Sequence, residues 1–166
     1  ILISMSIFNI KAAAHTPALP DSDGQVEIPA QEWPYAPGPR TIKVFIHYPG
    51  HALSGVGPQT GLMLDLHNWG GFHAIGAPDP RQLADRYNLV TICVDYLQSG
   101  PHNPENVPPY DLGYFQALDA LRALRYVSAS LDARGLPYAH GRIYAAGGSG
   151  GGNVALMVNK LAPRTF

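Results

Sequence analysis

The chain alternates short apolar runs with polar segments rich in glycine and proline, and the spacing inside each run predicts an element. Thr41 to Tyr48 (TIKVFIHY) is apolar at every second position, Ile42, Val44 and Ile46, which predicts a strand with one buried face. Three units follow, each an apolar run, a polar loop and a helical segment. Gly61 to Leu66 (GLMLDL) predicts a strand, and Pro80 to Tyr87 the helix after it. Leu89 to Val94 (LVTICV) is rich in β-branched residues, as a buried parallel strand should be. A proline-rich loop then leads to a long helix from about Asp111 to Leu131, with Leu112, Phe115, Leu118, Leu121 and Leu124 at roughly helical spacing. Ile143 to Ala146 predicts the third strand and Asn153 to Leu161 the last helix. That helix is apolar almost all round, through Val154, Ala155, Leu156, Met157 and Val158, so burial is expected. Strands alternating with helices in this way predict an α/β fold, a mostly parallel sheet flanked by helices on both faces.

Residues 16–40 hold Pro17, Pro20, Pro29, Pro34, Pro37 and Pro39, which favours an extended lead-in with at most one edge strand near Gln25 to Ile28. Before it, ILISMSIFNI followed by KAAAH resembles the end of a secretory signal over residues 1–15, with small residues at Ala12, Ala13 and Ala14. That reading implies a secreted or periplasmic protein; the other reading is an ordinary apolar segment of a cytoplasmic one. No run reaches the roughly 20 apolar residues of a membrane span.

Composition narrows the classes. With 166 residues, 46% hydrophobic and 14% charged, the chain can bury one good core. A net charge of −1, with no basic or acidic run, gives no electrostatic reason to expect nucleic acid. The single Cys93 lies inside an apolar strand, so it forms no internal disulfide and reads as a buried core residue.

The candidate chemistry lies between Arg142 and Ala155, RIYAAGGSGGGNVA, where an apolar run ends in a serine among glycines and turns into a helix. A phosphate-binding P-loop needs a Lys-Ser or Lys-Thr pair after its glycines, and none is present. Gly150, Gly152 and Ala155 satisfy the G-x-G-x-x-A of a dinucleotide site, but no acidic residue for the ribose occurs between Ser149 and Phe166. The third reading is G-x-S-x-G, here Gly147-Gly148-Ser149-Gly150-Gly151. A serine on a sharp strand-to-helix turn projects its hydroxyl above the sheet, and crowding there requires tiny neighbours. The helix start adds a field that favours developing negative charge, with the Gly150 N–H beside it.

With these residues, the chain resembles the N-terminal half of an α/β-hydrolase, nearest to the esterase and prolyl-oligopeptidase-like branches, over about Thr41 to Phe166. GLMLDLHNWGGF, Gly61 to Phe72, resembles the strand and HG-x-G loop that supplies the second oxyanion donor in that family, upstream of the serine as the family order requires. The resemblance implies an oxyanion loop of His67, Asn68, Gly70 and Gly71, with His67 structural and the Trp69 backbone N–H as donor. Asn68 stands where the family usually has glycine. LVTICVDY is similar to the family's next strand, with Asp95 at its end as a loop anchor.

A serine hydroxyl needs a histidine base and a carboxylate to orient it, in the order Ser, Asp or Glu, His for this family. The residues after Ser149, GGGNVALMVNKLAPRTF, contain neither. His67, His73 and His102 stand near the same end of the sheet but read as loop residues, and the spacing of His67 and His73 matches no common zinc site. The expectation is therefore a fragment of a protein of roughly twice the domain length, inactive alone, whose triad is completed beyond Phe166. The function expected is a serine hydrolase acting on small-molecule carboxylic esters, with peptides as the second substrate class and no metal or organic cofactor. The rival readings are an inert hydrolase-like fold and a nucleotide-binding α/β protein. Trp69, Phe72 and Tyr96 are candidates for an aromatic pocket or for core packing, and Pro104 to Tyr110 for a wall of the cleft.

Overall fold

Each predicted element is present in the computed structural model, which describes residues 17–166. The signal-like segment and His15 lie outside the described residues. The elements are β1 (Gly24–Pro29), β2 (Thr41–His47), β3 (Gly61–Leu66), α1 (Pro80–Tyr87), β4 (Leu89–Asp95), α2 (Tyr114–Ala133), β5 (Ile143–Gly147) and α3 (Gly150–Leu161). They build one mixed sheet in the order β1-β2-β4-β3-β5. The three strands of the α/β units are parallel to one another, with Leu64 opposite both Ile92 of β4 and Ala145 of β5. The lead-in supplies an antiparallel extension: β1 runs against β2, and β2 against β4.

Period-two alternation divides the sheet into two different faces. Leu62, Leu64 and Leu66 of β3 and Val90, Ile92 and Val94 of β4 join Ile42, Val44 and Ile46 of β2 in one apolar cluster with α2 and α3. The opposite face, where α1 packs beside β4, carries Met63 and Asp65 of β3 and Thr91 and Cys93 of β4, all buried. Asp79 caps α1 by accepting from the N–H groups of Arg81 and Gln82, and Asn88 ends it in a left-handed conformation.

Two helices differ from expectation. α2 begins at Tyr114, because Gly113 enters it at φ 114° and Asp111 already accepts the Gln116 N–H at 2.8 Å; Leu112 stays outside and 71% exposed. Its buried face is made of Ala117, Ala120, Ala123, Leu124, Val127 and Leu131. Small residues there let the helix lie close to the sheet and to α3, while Leu118 and Leu121 sit at the margin. α3 is not buried all round: Val154, Ala155 and Val158 face the core, whereas Leu156 is 73% exposed.

The lead-in belongs to the same core. Leu19 and Trp33 are buried, and the Tyr48 hydroxyl donates to the Pro20 carbonyl at 3.0 Å. Arg40 forms a two-pronged pair with Glu105 (2.7 and 2.9 Å) and reaches Asp119 of α2 at 3.3 Å. Asp119 also accepts the N–H groups of Gln31 (2.8 Å) and Leu97 (3.1 Å), so one buried carboxylate ties the lead-in, the β4–α2 loop and α2 together. This junction had no signature in the sequence.

Candidate active site

β5 ends at Gly147 and α3 begins at Gly150, which leaves two residues to reverse the chain. Ser149 takes φ 50° and ψ −115°, a backbone conformation that an L-residue adopts at a cost of about 1–3 kcal/mol, and it is exposed. Strain of this kind persists only where the surroundings over-determine it, and here they do. A carbon added at Gly151 would collide with the carbonyl oxygens of Leu66 and His67, and one at Gly148 with the carbonyl of Gly76. A carbon at Gly147 would stand 2.6 Å from the Gly151 oxygen. The turn is therefore pressed against the end of β3 and the loop that follows it, and glycine is required at these contacts.

The same contact brings the two expected oxyanion donors side by side. A carbon built on Gly150 would lie 2.8 Å from the Trp69 backbone nitrogen. As the first residue of α3, Gly150 carries an N–H without an intrahelical acceptor. Trp69 is free to donate as well, since the surrounding loop is closed by other amides: Asn68 N–H to Ile75 O (2.9 Å) and Gly71 N–H to Asn68 O (3.0 Å). Between Trp69 and Gly150 lies a cavity of about 10 Å³, also lined by His67, Asn68, Gly70 and Tyr96. That is the space of one water-sized group.

Asn68 is accommodated by glycines elsewhere. Its side chain fills the places where Gly71 and Gly76 would carry a Cβ, at 2.5 Å from each, and so points into the loop. The left-handed Gly70 (φ 69°) completes the turn.

His67 holds the loop from below. It is 1% exposed and stacks on Tyr96 with ring centroids 4.0 Å apart. Its Nδ1 lies 2.7 Å from the Asn68 carbonyl and its Nε2 2.7 Å from the Ser99 hydroxyl. Burial pushes its pKa below the ordinary value, which favours the neutral ring. The Tyr96 hydroxyl donates to the His67 carbonyl at 2.5 Å, so Tyr96 is a buried support of the loop. Trp69 and Phe72, by contrast, are about half exposed, at 47% and 48%.

The segment Pro104 to Tyr110, expected as a wall of the cleft, is held by Gln98. Its amide donates to the carbonyls of Val107 and Pro109, both at 3.0 Å, and accepts the Asp111 N–H at 2.8 Å. This sets the Tyr110 ring edge-on to Trp69 at 5.1 Å.

No hydrogen bond among the described residues joins a histidine to Ser149. His51 pairs with Asp23 (2.9 Å), His140 lies 3.9 Å from Asp132, and His102 is exposed on the β4–α2 loop. His47 and His73 meet each other on the α1 face of the sheet. Asp95 is an anchor, accepting the His73 N–H at 2.7 Å. Among the described residues, therefore, the site consists of a presented serine, two adjacent amide donors and an aromatic rim. No helix among them is long and apolar enough to cross a membrane.

No family model matches the chain, and no curated protein matches it in sequence. Solved structures do. A dipeptidyl aminopeptidase IV candidate from Bacteroides ovatus superposes with a TM-score of 0.58 over 88% of this chain, at 14% identity. A puromycin-hydrolyzing peptidase from Mycobacterium tuberculosis superposes with a TM-score of 0.50 over 82% of it, at 17% identity. The chain spans about 20% of the length of either structure. The sheet and its helices have the α/β-hydrolase fold of these peptidase domains, and the chain holds part of that fold.

Proposed function

We propose that this chain carries the nucleophile and oxyanion hole of a serine hydrolase. The observation that carries the reading is Ser149 itself, held at positive φ on a glycine-packed strand-to-helix turn directly beside the Trp69 amide. In this scheme the Ser149 Oγ attacks a carbonyl carbon while a base takes its proton. The N–H groups of Gly150 and Trp69 donate to the oxyanion, which collapses to an acyl-enzyme as the alcohol or amine leaves with a proton. Water then releases the acid by the same steps. Each oxyanion donor contributes on the order of 10²- to 10³-fold in rate. The base and its carboxylate come, in this scheme, from sequence beyond Phe166, since no hydrogen bond among the described residues joins a histidine to Ser149. Substrates are small carboxylic esters, presented to the rim formed by Trp69, Phe72 and Tyr110; peptide bonds are the second class, favoured by the peptidases whose fold the chain shares.

The test is turnover of an activated aryl ester and of a dipeptide amide by the full-length protein and by Ser149→Ala. The reading expects at least a ~10³-fold loss of the serine-dependent rate, as for removal of a triad member. Equal rates for the two proteins would contradict it. The ratio of ester to amide turnover assigns the substrate class.

A further inference from the structure

The α1 face of the sheet holds a cluster that the proposed hydrolase does not use. His47 ends β2, Cys93 lies in β4, and His73 reaches down from the loop after β3. One nitrogen or sulfur atom from each lies within 4.8 Å of the other two. The sequence pairs His73 with His67 by proximity, but the fold sends His67 under the oxyanion loop and gives His73 to His47 and Cys93.

Three observations point to a ligand at this cluster. The two Nε2 atoms of His47 and His73 are 3.1 Å apart, and two imidazoles on one tetrahedral zinc, with bonds of about 2.0–2.1 Å, have nitrogens about 3.3 Å apart. His47 is oriented from behind: its Nδ1 faces the Asp23 carboxylate at 3.4 Å, an arrangement that puts the proton on Nδ1 and leaves the Nε2 lone pair facing His73. Finally, Asp65 is fully buried, opposite Cys93 in the sheet register, with Oδ2 3.9 Å from the thiol sulfur; its Oδ1 has no partner among the described residues. A buried carboxylate oxygen left unpaired beside the Cys93 thiol means that the polar groups on this side of the cluster are not all satisfied among the described residues.

We propose that His47, His73 and Cys93 bind a zinc ion through one nitrogen or sulfur atom each. Two imidazoles and a thiolate match the ligand preference of Zn²⁺. Burial lowers the pKa of both imidazoles, favouring the neutral form that ligates, and raises that of the thiol, so metal binding there is coupled to proton release. Binding then converts Cys93–SH and Zn²⁺ to the zinc thiolate and releases one proton. Access runs through a surface cleft of about 400 Å³ lined by His47, His73, Asp79 and Arg81. The ion would fasten the loop that runs from Trp69 to α1 onto the sheet, which is a structural role and does not depend on the serine reading. Without metal, one N–H···N hydrogen bond between the histidines holds the same pair.

The test is a cobalt titration of the chelator-treated full chain. Zinc binding predicts one Co²⁺ per chain, tetrahedral visible bands and a thiolate-to-cobalt charge-transfer band, all displaced by Zn²⁺. Cys93→Ser removes the charge-transfer band. Because Cys93 is buried, His73→Ala, on the half-buried loop, is measured in parallel and weakens Co²⁺ binding by at least about 100-fold; Asp23→Asn weakens it by about 10- to 100-fold. Absence of a thiolate band at equimolar Co²⁺, an unchanged titration in His73→Ala, or uptake of Cu²⁺ without Zn²⁺ would each overturn the assignment.

Discussion

The two faces of the sheet bury a carboxylate on different terms. On the α2 face, Asp119 is fully buried and both its oxygens are used: Oδ1 by the Gln31 N–H, Oδ2 by the Leu97 N–H and the Arg40 guanidinium. On the α1 face, Asp65 is equally buried, yet its Oδ1 and the hydroxyl of nearby Thr91 are unpaired among the described residues. An unsatisfied buried polar group costs about 1–3 kcal/mol, whereas a paired one rigidifies its surroundings. Asp119 is thus a fastener of the fold, and Asp65 is a buried acid with one oxygen unpaired among the described residues. The elbow lies at the end of β5, packed against the end of β3 and the loop that follows it.

The sharpest way to break this contrast is Asp119→Ala. It leaves the buried Arg40 short of one acceptor and frees two amides, so a loss of about 3–5 kcal/mol is expected in denaturant unfolding. A loss below about 1 kcal/mol would remove the distinction between the two acids. Gly151→Ala should cost about 1–3 kcal/mol by overpacking against the Leu66 and His67 carbonyls, and should abolish reaction at Ser149. Gly152→Ala, whose added carbon meets the Gly147 oxygen at 3.2 Å, is the control and should leave Ser149 reactive.

A smaller effect concerns the loop that follows β3. Burial lowers the His67 pKa below its ordinary 6.5, so the folded state binds a proton less readily than the unfolded chain. That contribution to stability is present above pH 6.5 and is lost as pH falls below it. His67→Gln should flatten the fall in melting temperature between neutral and mildly acid pH; an unchanged slope would exclude His67 as its source. The smallest change is Asp65→Asn. In metal-free protein it should shift stability by no more than about 1 kcal/mol, since it replaces one incompletely paired polar group by another. A shift as large as that of Asp119→Ala would show that Asp65 is a fastener too.

Elements with a strong local period were legible in the sequence. Gly61–Leu66 and Pro80–Tyr87 have the predicted bounds, because an all-buried strand and a Pro-started, Asp-capped helix announce themselves locally. The start of α2 and the half-exposed α3 were not legible, because Gly113 and the neighbouring elements decide them. The elbow was readable because its glycines and serine are contiguous. The Arg40–Asp119 junction and the His47–His73–Cys93 cluster were not, since each joins residues dozens of positions apart that only the sheet order brings together. His73 carried a faint signal beside the oxyanion loop, but its partners lie on β2 and β4.

The central claim, that the glycine-packed turn presents Ser149 as a nucleophile, is tested most directly by treating the full-length protein with a fluorophosphonate and mapping the adduct by peptide mass spectrometry. One adduct on Ser149, absent from Ser149→Ala, is the predicted result. An adduct on another residue, or none in folded full-length protein, would contradict it.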